Sequence, residues 1–158
     1  MLSGEPSNKK GINHNMLKGI SNLLSPELLK ILMEMGHGDE IVIGDGNFPS
    51  VTCAKRLVRS DGHGIPPLLE AILDLFPLDE YVDNPVALMA VVQGDNTPTP
   101  PIWQTYDKIL QNHGQMPYKV EYMERNAFYK RAKKAFAVVA TGESAVYANI
   151  LLKKGVIK

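Results

Sequence analysis

SPELLKILMEMGHGDEIVIGDGNFP, from Ser25 to Pro49, decides the fold. It holds a helix, a strand and the loop that leaves the strand. Ser25 is a capping residue, and Pro26 suits the first helical position. Leu28, Leu29, Leu32 and Met35 recur at helical spacing, which predicts a helix over Ser25 to Met35 that Gly36 stops. Glu40 to Ile43, EIVI, reads as a short strand, and Gly44 to Pro49 as the loop after it.

The same alternation runs downstream. Leu57 to Arg59 is a weak strand before the turn Ser60-Asp61-Gly62. Pro66 to Phe76 is an amphipathic helix, and Val86 to Val92 is an apolar run of buried-strand length. Gln93 to Pro101 is a rim loop, because its prolines suit no regular element. Ile102 to Asn112 is expected as a helix, and Val120 to Met123 as a strand. Asn126 to Ala135 is expected as a helix with a solvated basic face of Lys130, Arg131, Lys133 and Lys134. Phe136 to Ala140 and Ile150 to Leu152 are the last strands. Strands alternating with helices predict one α/β domain over residues 16–158, with a central parallel or mixed sheet covered by helices. Residues 1–15 are polar and aperiodic, and are expected to be a disordered extension.

The chain of 158 residues is long enough to bury its core without staples. Its 17 basic and 17 acidic residues leave a net charge of zero, which argues against nucleic acid or a membrane surface as partner. No run approaches the ~20 apolar residues of a membrane span. With no secretory signal pattern and a single cysteine, Cys53, a cytoplasmic location is expected. Cys53 has no base beside it and is not expected to be a nucleophile.

Four clusters could carry chemistry. His37 sits between two glycines where a helix gives way to a strand, so its imidazole is accessible for acid or base work. Asp45 follows a strand, where α/β sheets bind ligands; Asp-Gly is equally an ordinary turn. Arg125 to Tyr129 and Tyr147-Ala148-Asn149 offer hydroxyl partners, since Tyr and Asn both donate and accept. Nucleotide-binding, serine-hydrolase and zinc motifs are all absent from the sequence.

MLKGISNLLSPELLKILMEMGHGDEIVIGDGNFP (Met16 to Pro49) and FYKRAKKAFAVVATGESAVYANILLKKG (Phe128 to Gly155) resemble the two ends of the L-fucose mutarotase / D-ribose pyranase family, closer to its fucose branch. RSDG (Arg59 to Gly62), PLLEAIL, PLDEYV and PVALM carry the likeness through the middle. The loop that commonly reads DA-x-FP in the family has Gly46 here, and the usual YGN is YAN, with Ala148.

The resemblance implies an isomerase that interconverts the anomers of a free monosaccharide without metal or other cofactor. It implies His37 as proton donor and Asp45 as a sugar-binding carboxylate. Asp79 and Tyr129 are then further active-site groups, and Met89, Arg125, Tyr147 and Asn149 substrate contacts. It implies a homo-oligomer, in which a site can borrow a residue from a neighbouring copy. D-ribose pyranase activity and a non-catalytic monosaccharide-binding module are the alternatives.

Overall fold

A computed structural model describes residues 16–114 and 119–158. The expected extension, residues 1–15, lies outside the described residues. The elements run α1 (Pro26–Glu34), β1 (Glu40–Gly44), α2 (Ser50–Cys53), β2 (Leu57–Ser60), α3 (Ile65–Leu73), β3 (Val86–Met89), α4 (Pro101–Asn112), β4 (Val120–Met123), α5 (Arg125–Lys134), β5 (Ala137–Thr141) and β6 (Ile150–Lys153).

Local chemistry sets the helix ends. Ser25 caps α1, its hydroxyl accepting the Leu28 N–H at 3.1 Å, and Pro26 stands in the first turn. Glu124 caps α5 by accepting the N–H groups of Asn126 and Ala127. The first turn of α3 is served from outside: the Ile65 N–H donates to Glu143 Oε1 at 3.0 Å. That bond ties α3 to the turn after β5.

The six strands form one mixed sheet in the order β2-β5-β1-β6-β3-β4. Pairings β2·β5, β5·β1 and β3·β4 are parallel, and β6 runs antiparallel to both β1 and β3. Five strands therefore point one way and β6 alone points back. Alternate residues face opposite layers. Ile41, Ile43, Val86, Leu88, Val139, Ile150 and Leu152 pack against α1, α3 and α4. Val42, Ala87, Met89, Val138 and Leu151 face the other way, onto Phe128 and Ala132 of α5 and Cys53 of α2.

Three expectations are corrected. The apolar run from Val86 leaves the sheet after Met89, three residues early. Ser50–Cys53 forms a single helical turn where no element was expected. Arg131 is no part of a solvated face. It bridges Glu40 of β1, with Nη2 to Oε2 at 2.5 Å, and Glu121 of β4, with Nη1 to Oε2 at 2.9 Å. Cys53 is buried, and burial pushes its thiol further up from the reactive range.

Candidate functional site

Because β6 runs against its neighbours, its first residues lie beside the last residues of β1 and β3 at one end of the sheet. That end carries a cavity of about 280 Å³ lined by Asp45, Met89, Arg125, Tyr129, Tyr147 and Asn149, with Phe48 and Asp95 among its other walls.

Asp45 leaves β1 buried and folded back on the chain. Its Oδ1 accepts the Asn47 N–H at 2.9 Å, and its Oδ2 accepts the Ala148 N–H at 3.4 Å. Burial raises its pKa above the ordinary carboxylate value of 3.8, against the opposing pull of the N–H donors, with Glu143 adding to the rise. The Asp45 N–H in turn donates to Asn149 Oδ1 at 2.8 Å. A backbone N–H can only donate, so Asn149 must point its oxygen at Asp45. Its amide nitrogen is then the end that can serve a ligand.

The Tyr147–Asn149 segment is held from beneath. Trp103 Nε1 donates to the Tyr147 carbonyl at 2.8 Å, and the buried Tyr106 hydroxyl donates to the Ala148 carbonyl at 2.6 Å. Burial pushes the Tyr106 phenol far above its ordinary range, so it stays a donor. Tyr147 has φ 54, the only positive φ at a non-glycine residue among those described. A bulky residue held there is in a constrained backbone conformation that the surrounding contacts must maintain. Ala148 has no positive φ, so alanine in place of the family's glycine strains nothing. At Gly46 the added methyl of an alanine would lie 3.1 Å from the Glu143 carbonyl oxygen, a tight fit.

The opposite wall comes from α5. Arg125 opens the helix and lies over the Tyr129 ring at 5.7 Å. Tyr129 packs edge-on against Phe48, with ring centroids 5.5 Å apart. Met89, at the end of β3, adds an apolar floor. The wall thus combines acceptor groups, donor groups and apolar surface in a small space.

His37 and Asp79 lie elsewhere. They precede β1 and β3 and sit together at the other end of the sheet, with His37 Nε2 3.0 Å from Asp79 Oδ1. Asp79 is 3% exposed and also accepts the Tyr81 N–H at 3.0 Å. Burial acts to raise its pKa, yet the Tyr81 N–H and His37 outweigh it and hold the carboxyl below its ordinary value. His37 is about half exposed, with its ring against Tyr81 at 5.3 Å. Gly38 takes φ +86 to turn the chain there. Gly155 leaves room behind Asp79, since a side-chain carbon on it would lie 2.5 Å from the Leu78 carbonyl oxygen. The five residues of β1 separate this pair from the cavity by about 17 Å.

The structure therefore brings six of the expected residues together and sets His37 and Asp79 apart from them. A family described as the RbsD / FucU transport protein family matches residues 18–157. The chain belongs to the RbsD / FucU family. It is 52% identical over 146 residues to the fucose mutarotase of Homo sapiens, covering 89% of this chain and 94% of that one. The crystal structure of the fucose mutarotase from Streptococcus pneumoniae, in complex with L-fucose, superposes with a TM-score of 0.86 at 54% identity, covering 90% of this chain and all of that one. Bacillus subtilis RbsD complexed with D-ribose is more distant, with a TM-score of 0.63, 27% identity, and 85% and 95% covered. Both family members share the mixed-sheet fold.

Asp95 and Thr97 also line this cavity and were not anticipated. Their one signal was Asp-Asn-Thr before proline, which reads as a polar turn. Among the described residues, no group of three or more His, Cys, Asp or Glu is placed to hold a metal ion.

Proposed function

We propose that this chain interconverts the α and β anomers of free L-fucose. The observation that carries this reading is the convergence of Asp45, Asn149, Tyr147, Arg125 and Tyr129 on one cavity of about 280 Å³. That volume is at the low end for ligand sites, which run from ~300 Å³ upward, and suits one sugar ring. Acceptors (Asp45) and donors (Arg125, the Asn149 amide) match a ring of hydroxyls. Phe48 and Met89 offer apolar surface for the methyl group that distinguishes fucose from a fully hydroxylated hexose. The kinship with proteins named fucose mutarotase supports the same substrate.

The reaction asks little. A base takes the proton of the anomeric hydroxyl, and C1 becomes a carbonyl as the C1–O5 bond breaks. An acid protonates O5. Rotation about C1–C2 presents the other carbonyl face, and the steps reverse. A positioned acid–base pair contributes ~10²–10⁴-fold. His37 is the acid in our reading. Asp79 accepts from its Nε2, which leaves Nδ1 to exchange the proton. Tyr129 assists transfer from the cavity wall, and Asp45, Arg125, Tyr147, Asn149 and Met89 hold the ring.

A strand's length separates His37 from the cavity of its own chain. We therefore place the His37–Asp79 pair of a second copy at the cavity mouth, in a cytoplasmic homo-oligomer. One observation favours a second reading, sugar binding without catalysis: among the described residues, no histidine lines the cavity of a single copy.

Saturation-transfer NMR on the anomeric protons of L-fucose and D-ribose, with catalytic amounts of protein, separates these readings. Faster α/β exchange for fucose, lost in a folded His37→Ala variant, is the expected result. Faster exchange for ribose alone moves the assignment to pyranase chemistry. Binding with no acceleration leaves the binding module.

A further inference from the structure

We propose that Asp95 is a positioning residue for the sugar: it locks the Tyr147 hydroxyl hydrogen into its own carboxylate, so that the phenol oxygen meets the ligand only as a hydrogen-bond acceptor. The inference rests on reading the cavity as a monosaccharide site.

Tyr147 Oη donates its one hydrogen to Asp95 Oδ2 and accepts the Val92 N–H at 3.3 Å. A phenol oxygen has one hydrogen and two lone pairs, so one lone pair remains for a ligand. Asp95 is itself fixed. Its Oδ1 accepts the Thr97 N–H at 2.9 Å and the Thr97 hydroxyl at 2.5 Å, which closes a turn through the side chain. Asp95, Thr97 and Tyr147 all line the cavity. The Tyr147 backbone is pinned by the Trp103 indole at its carbonyl, so the ring is held at both ends.

The consequence is selectivity. Arg125 can only donate, and Asn149 presents its amide nitrogen. Tyr147 under Asp95 adds an acceptor, which a sugar satisfies with an O–H and not with an ether oxygen or a missing hydroxyl. The pair does not switch near neutral pH. The Thr97 hydroxyl and then Tyr147 hold the Asp95 carboxyl below its ordinary value, and Asp95 pushes the Tyr147 phenol above its own.

The test uses the full chain and the variants Asp95→Asn, Tyr147→Phe and both together. An asparagine amide would donate to the phenol oxygen and free its hydrogen, reversing the polarity. Asp95→Asn is expected to raise the KM for L-fucose about tenfold, with a smaller change in maximal exchange rate. On the Tyr147→Phe background the same change should add less than about twofold, since Asp95 acts through the tyrosine. A second readout needs no sugar: carbon-13 NMR of labelled tyrosine, with Tyr147 assigned by its loss in Tyr147→Phe. Tyr147 should titrate at higher pH in the parent than in Asp95→Asn; Arg125, the cation facing it from α5, is common to both. Multiplicative effects of the two substitutions, or identical phenol titrations, overturn the proposal. If the parent accelerates exchange of neither sugar, the mutarotase reading falls, and the phenol titration alone decides whether Asp95 holds Tyr147.

Discussion

Tyr106→Phe removes one oxygen from beneath the site and nothing else. The Tyr106 side chain is 1% exposed, and its hydroxyl donates to the Ala148 carbonyl at 2.6 Å. Phenylalanine keeps the ring packing but leaves that carbonyl buried without its donor. A net hydrogen bond is worth ~1 kcal/mol, and an unsatisfied buried acceptor costs ~1–3 kcal/mol. The expected loss is about 2 kcal/mol, which for a chain of this size lowers Tm by roughly 4–8 °C. Because Ala148 lies between Tyr147 and Asn149, the same change should raise the KM for L-fucose a few-fold while the maximal rate moves less. Urea unfolding at one fixed protein concentration, paired with saturation-transfer NMR, measures both, and the fixed concentration removes any contribution from association. An unchanged urea midpoint together with an unchanged KM would refute the claim that α4 anchors the Tyr147–Asn149 segment.

Gly155→Ala forces a carbon to within 2.5 Å of the Leu78 backbone oxygen, so the chain beside Asp79 must move. A thermal melt should show a loss of about 1–3 kcal/mol, and exchange activity should fall with the displaced Asp79. Arg131→Ala strands Glu40 at the start of β1. With these groups partly exposed, the expected cost by urea unfolding is about 1–3 kcal/mol, and Glu40→Gln on top should recover part of it. For His113, burial lowers the pKa, but the Ile109 carbonyl and Asp74 outweigh it and raise the value above 6.5. The contact therefore adds stability fully below about pH 6.5 and loses it as pH rises through the folded value. His113→Gln should cost more in urea midpoint at about pH 5.5 than at about pH 8.5.

The elements with strong local signals were legible. The cap, proline and apolar spacing of α1 and the apolar strands β1 and β5 follow from neighbours in the chain. Val92 did not, because its N–H bonds the Tyr147 hydroxyl in place of a ladder partner. The turn Ser50–Cys53 is too short to show a period. Arg131 looked solvated because its partners Glu40 and Glu121 lie on strands 91 and 10 residues away. In the site, Asp45 and Asn149 stand 104 residues apart, and only the sheet order brings them together. The separation of His37 from that cluster follows from the same order, since the residues before a strand and those after it cannot share an end.

Strand β6 has a consequence for how this chain can change over time. Its first residue follows Asn149 in the cavity, and its last supplies the carbonyl that accepts the Asp79 N–H at 3.0 Å, while the next carbonyl accepts the Gly38 N–H at 2.8 Å. Four residues thus act as a spacer of fixed length between the two chemically equipped rims. A loop can gain or lose residues one rim at a time. A deletion within Ile150–Lys153 shifts both rims at once and turns every later side chain to the other face. This short segment is where the family's length variation should be least tolerated, and a library of single-residue deletions scored for sugar exchange would show its sharpest minimum there.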